Sequence, residues 1–324
     1  MALRTDQLFA LRGRLTAREG LLLTIVGAVL IFALWWLLAE LLSDTLITQI
    51  DDEQAIEQLS AEQRRYYDSD SLLIAELDQL RERSPAELAD LGLESRKVYP
   101  LLPTPVRVLQ AIPELVERDD LIGNALYSIQ LNLLGYVVAI LVALPVGFAL
   151  GLIPLFRGLF SKIFDSYRFI PLTAVTGIFI MWLGLGSDMK VAFLAFGIIV
   201  YLIPVVVQRV DEVSKVYLNT VFTLGATSWQ TVRTVYMPYV FSKVIDDIRV
   251  LTAISWTYIT IVEMLNRGGG IGELIWTAKR QSRIDKAFAI LIVIVLIGIV
   301  QDRLFAWIDR LLFPHKYVAS AKTA

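Results

Sequence analysis

The 324-residue chain has no cysteine and a single histidine, His315. A disulfide framework, a thiol nucleophile, an iron–sulfur cluster or a Cys/His zinc site therefore has nothing to be built from, and the compartment cannot be read from cysteine use. A GxxxxGK[ST] phosphate loop is also missing, so the chain lacks that means of gripping ATP and any energy source is expected on a partner. Charge is scarce, at 19% of residues against 56% hydrophobic, and the mean hydropathy of +0.61 is too apolar for an ordinary soluble domain. The composition is that of a membrane protein.

The formal net charge of -2 hides an uneven distribution. Between Asp44 and Asp120 stand 18 acidic and 8 basic residues, a net of -10, which leaves +8 on the remainder. A bilayer core takes about 20 apolar residues as a helix, and six such runs can be counted, at 21–42, 126–154, 169–185, 191–208, 244–265 and 287–307. The first is too long for a signal-peptide core and lacks a small-residue cleavage site before Asp44, so an uncleaved anchor is expected. If the spans alternate, Arg4, Arg12, Arg14 and Arg18, then Arg157, Lys162 and Arg168, then Arg310 and Lys316 share one side. By the positive-inside rule that side is cytoplasmic, with both termini on it and the acidic segment outside. Arg267, Lys279, Arg280, Arg283 and Lys286, between the last two spans, run against the rule. Trp35, Trp36, Trp182, Trp276 and Trp307 lie near span ends, where an indole faces lipid and water together.

Within the acidic segment, Leu73, Leu77 and Leu80 recur at helical spacing, and Ser84-Pro85-Ala86-Glu87 supplies an N-cap, a first-turn Pro and a capping-box Glu. Two or three short helices are expected there, with acidic faces that are either solvated or a docking surface. After Leu102-Pro103-Thr104-Pro105, residues 106–116 read as an amphipathic helix on the outer surface.

Between the fourth and fifth runs, 213–243 is patterned as helix, turn, helix. Gly225 follows one helix, where φ > 0 is commonly needed, Ser228 precedes the next as its expected cap, and Met237-Pro238 is expected to close it. Nine residues separate Gly225 from Val235. This spacing resembles the EAA loop of ABC importer permeases, with Gly225, Val235, Met237 and Pro238 in the corresponding places. The resemblance extends over 101–317. Leu102-Pro103-Thr104-Pro105 with Val108-Leu109, Gly135, the Leu144-Pro145-Val146-Gly147 turn, Arg168-Phe169-Ile170-Pro171, Trp182-Leu183-Gly184-Leu185-Gly186 and Gly269-Gly270-Ile271-Gly272 follow in order, as in the nitrate, sulfonate and taurine branch.

The resemblance implies an all-α integral membrane protein with six transmembrane helices, of the type I ABC importer permease kind, carrying a small helical extracytoplasmic insertion between spans one and two. It implies a multi-pass protein of the bacterial inner membrane, a second permease copy, an external solute-binding protein, and a separate ATPase subunit that binds ATP and Mg²⁺, with no cofactor and no enzymatic activity in this chain and no nucleic-acid partner. The coupling loop would comprise Asn219, Thr220, Val221, Gly225, Ala226, Trp229, Val235, Met237 and Pro238. Two departures stand out. The EAA triplet falls on Asn219, Thr220 and Val221, so the acidic member is replaced by a neutral hydrogen-bonding group, and a charge-assisted contact is roughly twice as strong as a neutral one. Leu131 stands where relatives often carry Arg.

The domain reading is a cytoplasmic N-terminus (1–20), a first transmembrane helix (21–43), the acidic insertion with its surface helix (44–122), a five-helix core (123–312) containing the 213–243 loop, and a cytoplasmic tail (313–324). In the fifth span, Asp246, Asp247 and Arg249 suggest a local ion pair at the membrane surface, while Ser255, Thr257, Tyr258, Thr260 and Glu263 are candidates for the translocation path, since intramembrane polar groups should face protein or water. They could equally bond to their own backbone. Two functions follow: an importer permease for a small anionic or zwitterionic solute, or a non-transporting membrane sensor or scaffold acting through its outer insertion.

Overall fold

A computed structural model describes residues 16–49, 93–314 and 316. The helices expected within 51–92 and the charges of Arg4, Arg12 and Arg14 lie outside the described residues. The chain divides into two compact units, 1–111 and 112–324.

In the first unit, α1 (Ala17–Leu41) opens on a capping box: Thr16 Oγ1 accepts from Glu19 N (3.3 Å) and the Glu19 carboxylate accepts from Thr16 N (2.9 Å). Its 25 residues reach about 37 Å, enough to cross a bilayer core, and its apolar surface is exposed as a lipid-facing helix requires. The chain then forms β1 (Asp44–Gln49) and, across the insertion, β2 (Leu93–Val98). The two strands pair antiparallel, with Asp44 opposite Val98 and Gln49 opposite Leu93. The helical reading of this region does not foresee that ladder, which suits the β-branched Thr45, Ile47 and Thr48. Glu40, at the end of α1, pairs with Lys97 and accepts from the Tyr99 hydroxyl (3.0 Å). Arg107 stacks 4.5 Å from the Tyr99 ring centre and donates to the Lys97 carbonyl (3.0 Å). The insertion is thus tied at its base to the end of the first span, where Trp35 also donates to the Pro103 carbonyl (3.0 Å).

An amphipathic helix, α2 (Pro105–Glu117), leads into the second unit as the sequence suggests. There follow α3 (Leu121–Leu152), α4 (Pro154–Tyr167), α5 (Leu172–Leu183), α6 (Ser187–Asp211), α7 (Lys215–Thr223), α8 (Ser228–Thr231), a π turn (Val232–Tyr236), α9 (Met237–Leu265), α10 (Ile271–Arg280) and α11 (Ile284–Leu312). Pro145 sits inside α3, which continues through the turn expected at 144–147; membrane helices tolerate such a proline because neighbours satisfy the freed carbonyl.

The most extensive helix contact joins α3 to α6. Gly135, Ala139, Ala143, Gly147 and Gly151 recur every four residues along α3, facing Leu194, Ile198, Leu202, Val206 and Val210 at the same spacing on α6. A Cβ added to Gly135 would lie 2.8 Å from Leu194 Cβ, one on Gly147 2.6 Å from Val206 Cβ, and one on Gly151 2.9 Å from Val210 Cβ. Small residues let the backbones approach, so dispersion contacts replace the hydrophobic driving force that lipid removes.

The pairing advances in step along both helices, so α3 and α6 run parallel. A parallel pair requires the intervening chain to return across the membrane. The third span, expected as one helix over 169–185, is instead broken: α4 and α5 meet at 103°, and the 12 residues of α5 reach only about 18 Å. Among the described residues, five helices are long and apolar enough to cross by themselves, and the bent pair α4–α5 is the candidate for a sixth passage. The break follows from Arg168-Phe169-Ile170-Pro171, because proline disfavours helix in the residue before it.

The charges of α9 do not pair with one another as the sequence reading expects. Asp247 holds Arg209 of α6 in a two-pronged bridge (both 2.7 Å), Arg249 pairs with Asp302 of α11, and Asp246 accepts from Lys316 (3.2 Å). Neighbouring positions on a helix diverge, so each charge finds a different partner, on α6, on α11 or beyond the end of α11. At the opposite end, Glu114 of α2 bonds Arg283 (2.8 Å) and Lys286 (3.1 Å), and Lys286 also bonds Asp119 (2.6 Å). Two of the basic residues that defied the charge rule are therefore neutralised locally.

Gly147→Ala is expected to cost about 1–3 kcal/mol by overpacking the seam, measured by thermal unfolding in detergent. Gly298→Ala, whose Cβ meets nothing within 4 Å, should stay within about 0.5 kcal/mol. The Glu114 carboxyl is pulled down from 4.5 to about 2, first by its bond to Arg283 and then by that to Lys286. Its stabilising contribution is complete above the ordinary value and is lost as pH falls toward the lowered one. Amide exchange in α2 should rise across that acid window, and Glu114→Gln should show the faster exchange already at neutral pH.

Candidate functional site

The 213–243 segment forms a helical hairpin whose turn is specified atom by atom. Ser214 caps α7 by accepting from Val216 N (3.3 Å). At its far end Gly225 takes φ +75°, Gly225 N donates to Phe222 O (3.0 Å) and Ala226 N donates to Val221 O (3.0 Å). These are the paired bonds of a Schellman motif. A Cβ on Gly225 would meet nothing within 4 Å, so what excludes side chains there is backbone conformation and not space. Thr227, and not Ser228, caps α8, because it has Gln230 three residues on to complete a capping box: Thr227 Oγ1 accepts from Gln230 N (3.3 Å) and Gln230 Oε1 from Thr227 N (2.7 Å).

Met237-Pro238 does not close the second helix. The π turn passes directly into α9, with Pro238 in its first turn, where a missing N–H is tolerated. Val235 therefore lies in the π turn and Met237 begins the span, so the hairpin and α9 are mechanically continuous. Asn219 and Thr220 are exposed and Val221 half-buried, and Thr220 donates to the Val216 carbonyl (2.8 Å). Thr220, Val221, Thr234, Val235 and Pro238 border a cavity of about 470 Å³. Beyond it Leu224 (79% exposed), Trp229 (67%), Val216 and Phe222 present large apolar side chains left uncovered among the described residues. Such a cluster marks an interaction surface. At the hairpin base, the Arg209 guanidinium holds the Glu212 carboxyl below its usual range.

The opposite end of the second unit is built as a latch. The N-terminus of α10 has N–H groups without intrahelical partners, and three of them find side-chain acceptors. Gly270 N donates to Asn124 Oδ1 (2.7 Å), Ile271 N to Ser128 Oγ (2.9 Å) and Gly272 N to Glu263 Oε2 (2.8 Å), while Ser128 Oγ donates to Glu263 Oε1 (2.7 Å). Glu263 has no exposed surface, and its carboxyl lies at the positive end of the α10 dipole. Lys190, 1% exposed, donates to the Gly269 carbonyl (3.0 Å) and lies 5.1 Å from the Tyr127 ring centre. A Cβ on Gly272 would fall 2.4 Å from the Thr260 carbonyl oxygen, so only glycine permits this approach.

The path candidates read from the sequence do not share one wall. Ser255 is buried and bonds Asn132 Oδ1 (3.0 Å) and the Thr252 carbonyl (2.8 Å), Thr260 bonds the carbonyls of Trp256 and Thr257, and Tyr258 is half-buried against Met189, Phe193 and Val262. Thr257 alone is exposed. Asn124, Ser128, Asn132 and Lys190 escape the sequence reading, although the first three recur every four residues in an apolar helix, a polar stripe that could have found them. Asn132 Nδ2 and the Tyr136 hydroxyl, one turn further along that stripe, are buried with no hydrogen-bond partner among the described residues.

A bundle with five passages in its second unit, latched at one end and carrying an apolar helical hairpin at the other, defines a polytopic membrane transport component. The chain belongs to the family of inner membrane components of binding-protein-dependent transport systems, whose model matches residues 94–314. It is thus a permease subunit of the ABC importer kind, a multi-pass protein of the inner membrane. It is 26% identical over 210 residues to a probable ABC transporter permease of Brucella melitensis, covering 65% of this chain and 85% of that protein. To a putative aliphatic sulfonates transport permease of Bacillus subtilis it is 26% identical over 240 residues (71% and 82% covered), and to the taurine transport system permease of Escherichia coli 24% over 218 residues (66% and 79%). Among solved structures, a chain of the MetNI methionine ABC transporter in an inward facing conformation superposes with a TM-score of 0.54 at 16% identity, covering 59% of this chain and 95% of that one. At that identity the likeness concerns the fold.

Because the turn demands positive φ, Gly225→Val should destabilise the hairpin by about 1–2 kcal/mol, whereas Gly225→Asn should be nearly neutral. Limited proteolysis of the hairpin in membranes distinguishes the two; equal protection of both variants would contradict the conformational argument.

Proposed function

We propose that the 213–243 hairpin docks on a separate ATP-binding subunit, and that this chain pairs with a second permease copy to import a small anionic or zwitterionic solute delivered by a binding protein at the latched end. The observation that carries the reading is the uncovered apolar cluster of Leu224 and Trp229 on a hairpin continuous with α9. A push on the hairpin is transmitted along a 29-residue helix to the latch, which suits a switch by rigid-body motion. ATP and Mg²⁺ belong to the partner, whose groove would receive a neutral Asn219 in place of a carboxylate.

Orientation follows from charge. Arg157, Lys162, Arg168, Lys215, Arg233, Lys243 and Lys316 gather at the hairpin end, which the positive-inside rule assigns to the cytoplasm together with both termini. The solute class rests on the sulfonate and taurine permeases among the relatives, and Thr257 and Tyr258 are the remaining polar candidates for its path.

Reconstitution with the ATPase, binding protein and a sulfonate should give solute-stimulated ATP hydrolysis and uptake. Trp229→Ala combined with Leu224→Ala should reduce both by at least about tenfold, as expected for removal of anchoring side chains, while membrane insertion is unchanged. Absence of stimulation and uptake with the unaltered chain would favour a non-transporting scaffold.

A further inference from the structure

Arg157, Lys162, Asp165 and Arg168 are too many charges for α4 to lie within hydrocarbon. The helix has no buried residue and two unlike faces. Leu155, Phe156, Leu159, Phe160 and Ile163 are exposed on one, the pattern of a helix lying in the membrane interface. The other face carries Arg157, Ser161, Phe164, Asp165 and Arg168 and closes onto α6 only in part, through contacts such as Arg157 with Asp211. It lines a cavity of about 660 Å³ whose far wall is Tyr201, Pro204 and Gln208 and whose floor includes Leu150 and Leu251.

Most charges around this cavity are already committed. Arg157 donates to the carbonyls of Leu150 (3.1 Å) and Gly151 (2.9 Å) and to Asp211 (2.7 Å), and Glu212 is held by Arg209. Arg168 donates through Nε to the Asp165 carbonyl (3.1 Å) and its guanidinium lies 5.7 Å from the Phe169 ring centre, while no hydrogen bond among the described residues uses its terminal amino groups. Among the described residues, neither the half-buried Asp165 carboxylate nor the Ser161 hydroxyl has a protein partner. One cation and one anion, three residues apart on a helix face, thus stand open above an apolar floor. An anion alone would meet the Asp165 carboxylate, and a cation alone would meet Arg168. A dipolar group satisfies both, each contact being of the strong charge-assisted kind. The volume falls in the range of about 300–1,000 Å³ that encloses an extended ligand, far more than a two-carbon zwitterion fills.

We propose that the groove between α4 and α6 binds a zwitterionic amphiphile, its oxyanion on Arg168, its ammonium on Asp165, and its apolar body on Leu150, Phe164 and Leu251. A phosphoethanolamine lipid headgroup and a soluble aminoalkyl sulfonate share this chemistry. The cavity size and the apolar outer face of α4 fit the lipid. The inference stands apart from the transport reading and does not need the ATPase or binding protein.

The test uses the full chain, purified in mild detergent and depleted of lipid, with phosphatidylethanolamine, phosphatidylglycerol and aminoethanesulfonate compared by native mass spectrometry and thermal shift. Phosphatidylethanolamine should be retained about tenfold more than phosphatidylglycerol, a difference of about 1.4 kcal/mol. Asp165→Asn and Arg168→Gln should each abolish that preference. Neither residue is buried, so both variants should melt like the unaltered chain before lipid is added. Aminoethanesulfonate binding that either variant abolishes, without a lipid preference, upholds the zwitterion site and assigns it to a soluble ligand. Equal retention of the two lipids with no sulfonate binding, or a preference unchanged in both variants, overturns the proposal.

Discussion

The close approach of α3 and α6 is the constraint on which the rest of the second unit depends. Lipid is as apolar as leucine, so two membrane helices gain nothing from hiding apolar surface and must gain from contact itself. A small residue at every fourth position of α3, opposed by a branched or larger one at the same spacing on α6, provides that contact along five turns. Parallel direction follows from the matched register, and from parallel direction follows the need for a return passage. The short α5 meets that need, and its sharp junction with α4 comes from the Pro171 break. The cavity beside α4 lies where the polar inner face of that helix meets α6 only in part.

The two ends of the bundle use opposite solutions for their exposed groups. At the latch, three N–H groups of the α10 start are matched by acceptors from α3 or α9, and two buried ionisable groups, Glu263 and Lys190, bond backbone groups. A buried charge lacking such partners would be strongly destabilising, so this end is expected to keep a single arrangement. At the hairpin, local bonds rigidify the turn while its apolar side chains remain uncovered. A rigid anchor at one end and a preformed, unpartnered surface at the other, joined by α9, is an arrangement suited to transmitting motion. It also explains why Glu263, an attractive path residue by its position in an apolar run, is absorbed by structure: its carboxyl accepts from the Gly272 N–H and the Ser128 hydroxyl.

Much of this was legible in the residues. Long apolar runs are a composition signal that needs no tertiary context, and five of the six passages were found with shifts of a few residues at their ends. The hairpin was legible because Gly225 and the residues around it are specified by local backbone chemistry. The strands at 44–49 and 93–98 were not, since each is paired by a segment more than forty residues away. Nor was the cap at Thr227 distinguished from Ser228, as both residue types can cap and the choice falls to the position of Gln230. The path candidates fared least well, because four polar residues crowded into one helix say nothing of which face meets protein.

By itself the sequence determined that the chain crosses the membrane several times, that an acidic insertion follows the first passage, and that a helical hairpin with a glycine turn joins the fourth and fifth. Each of these depends on neighbours within a turn or on composition over about 20 residues, which the bilayer itself reads. Only the tertiary structure decided that the third passage is broken, that Asp246, Asp247 and Arg249 each pair with a different partner, and that Glu263 closes a latch. The reason is that side-chain partners in a bundle are set by helix register and direction, and those depend on the small-residue seam between two helices whose pairing residues lie 59 positions apart.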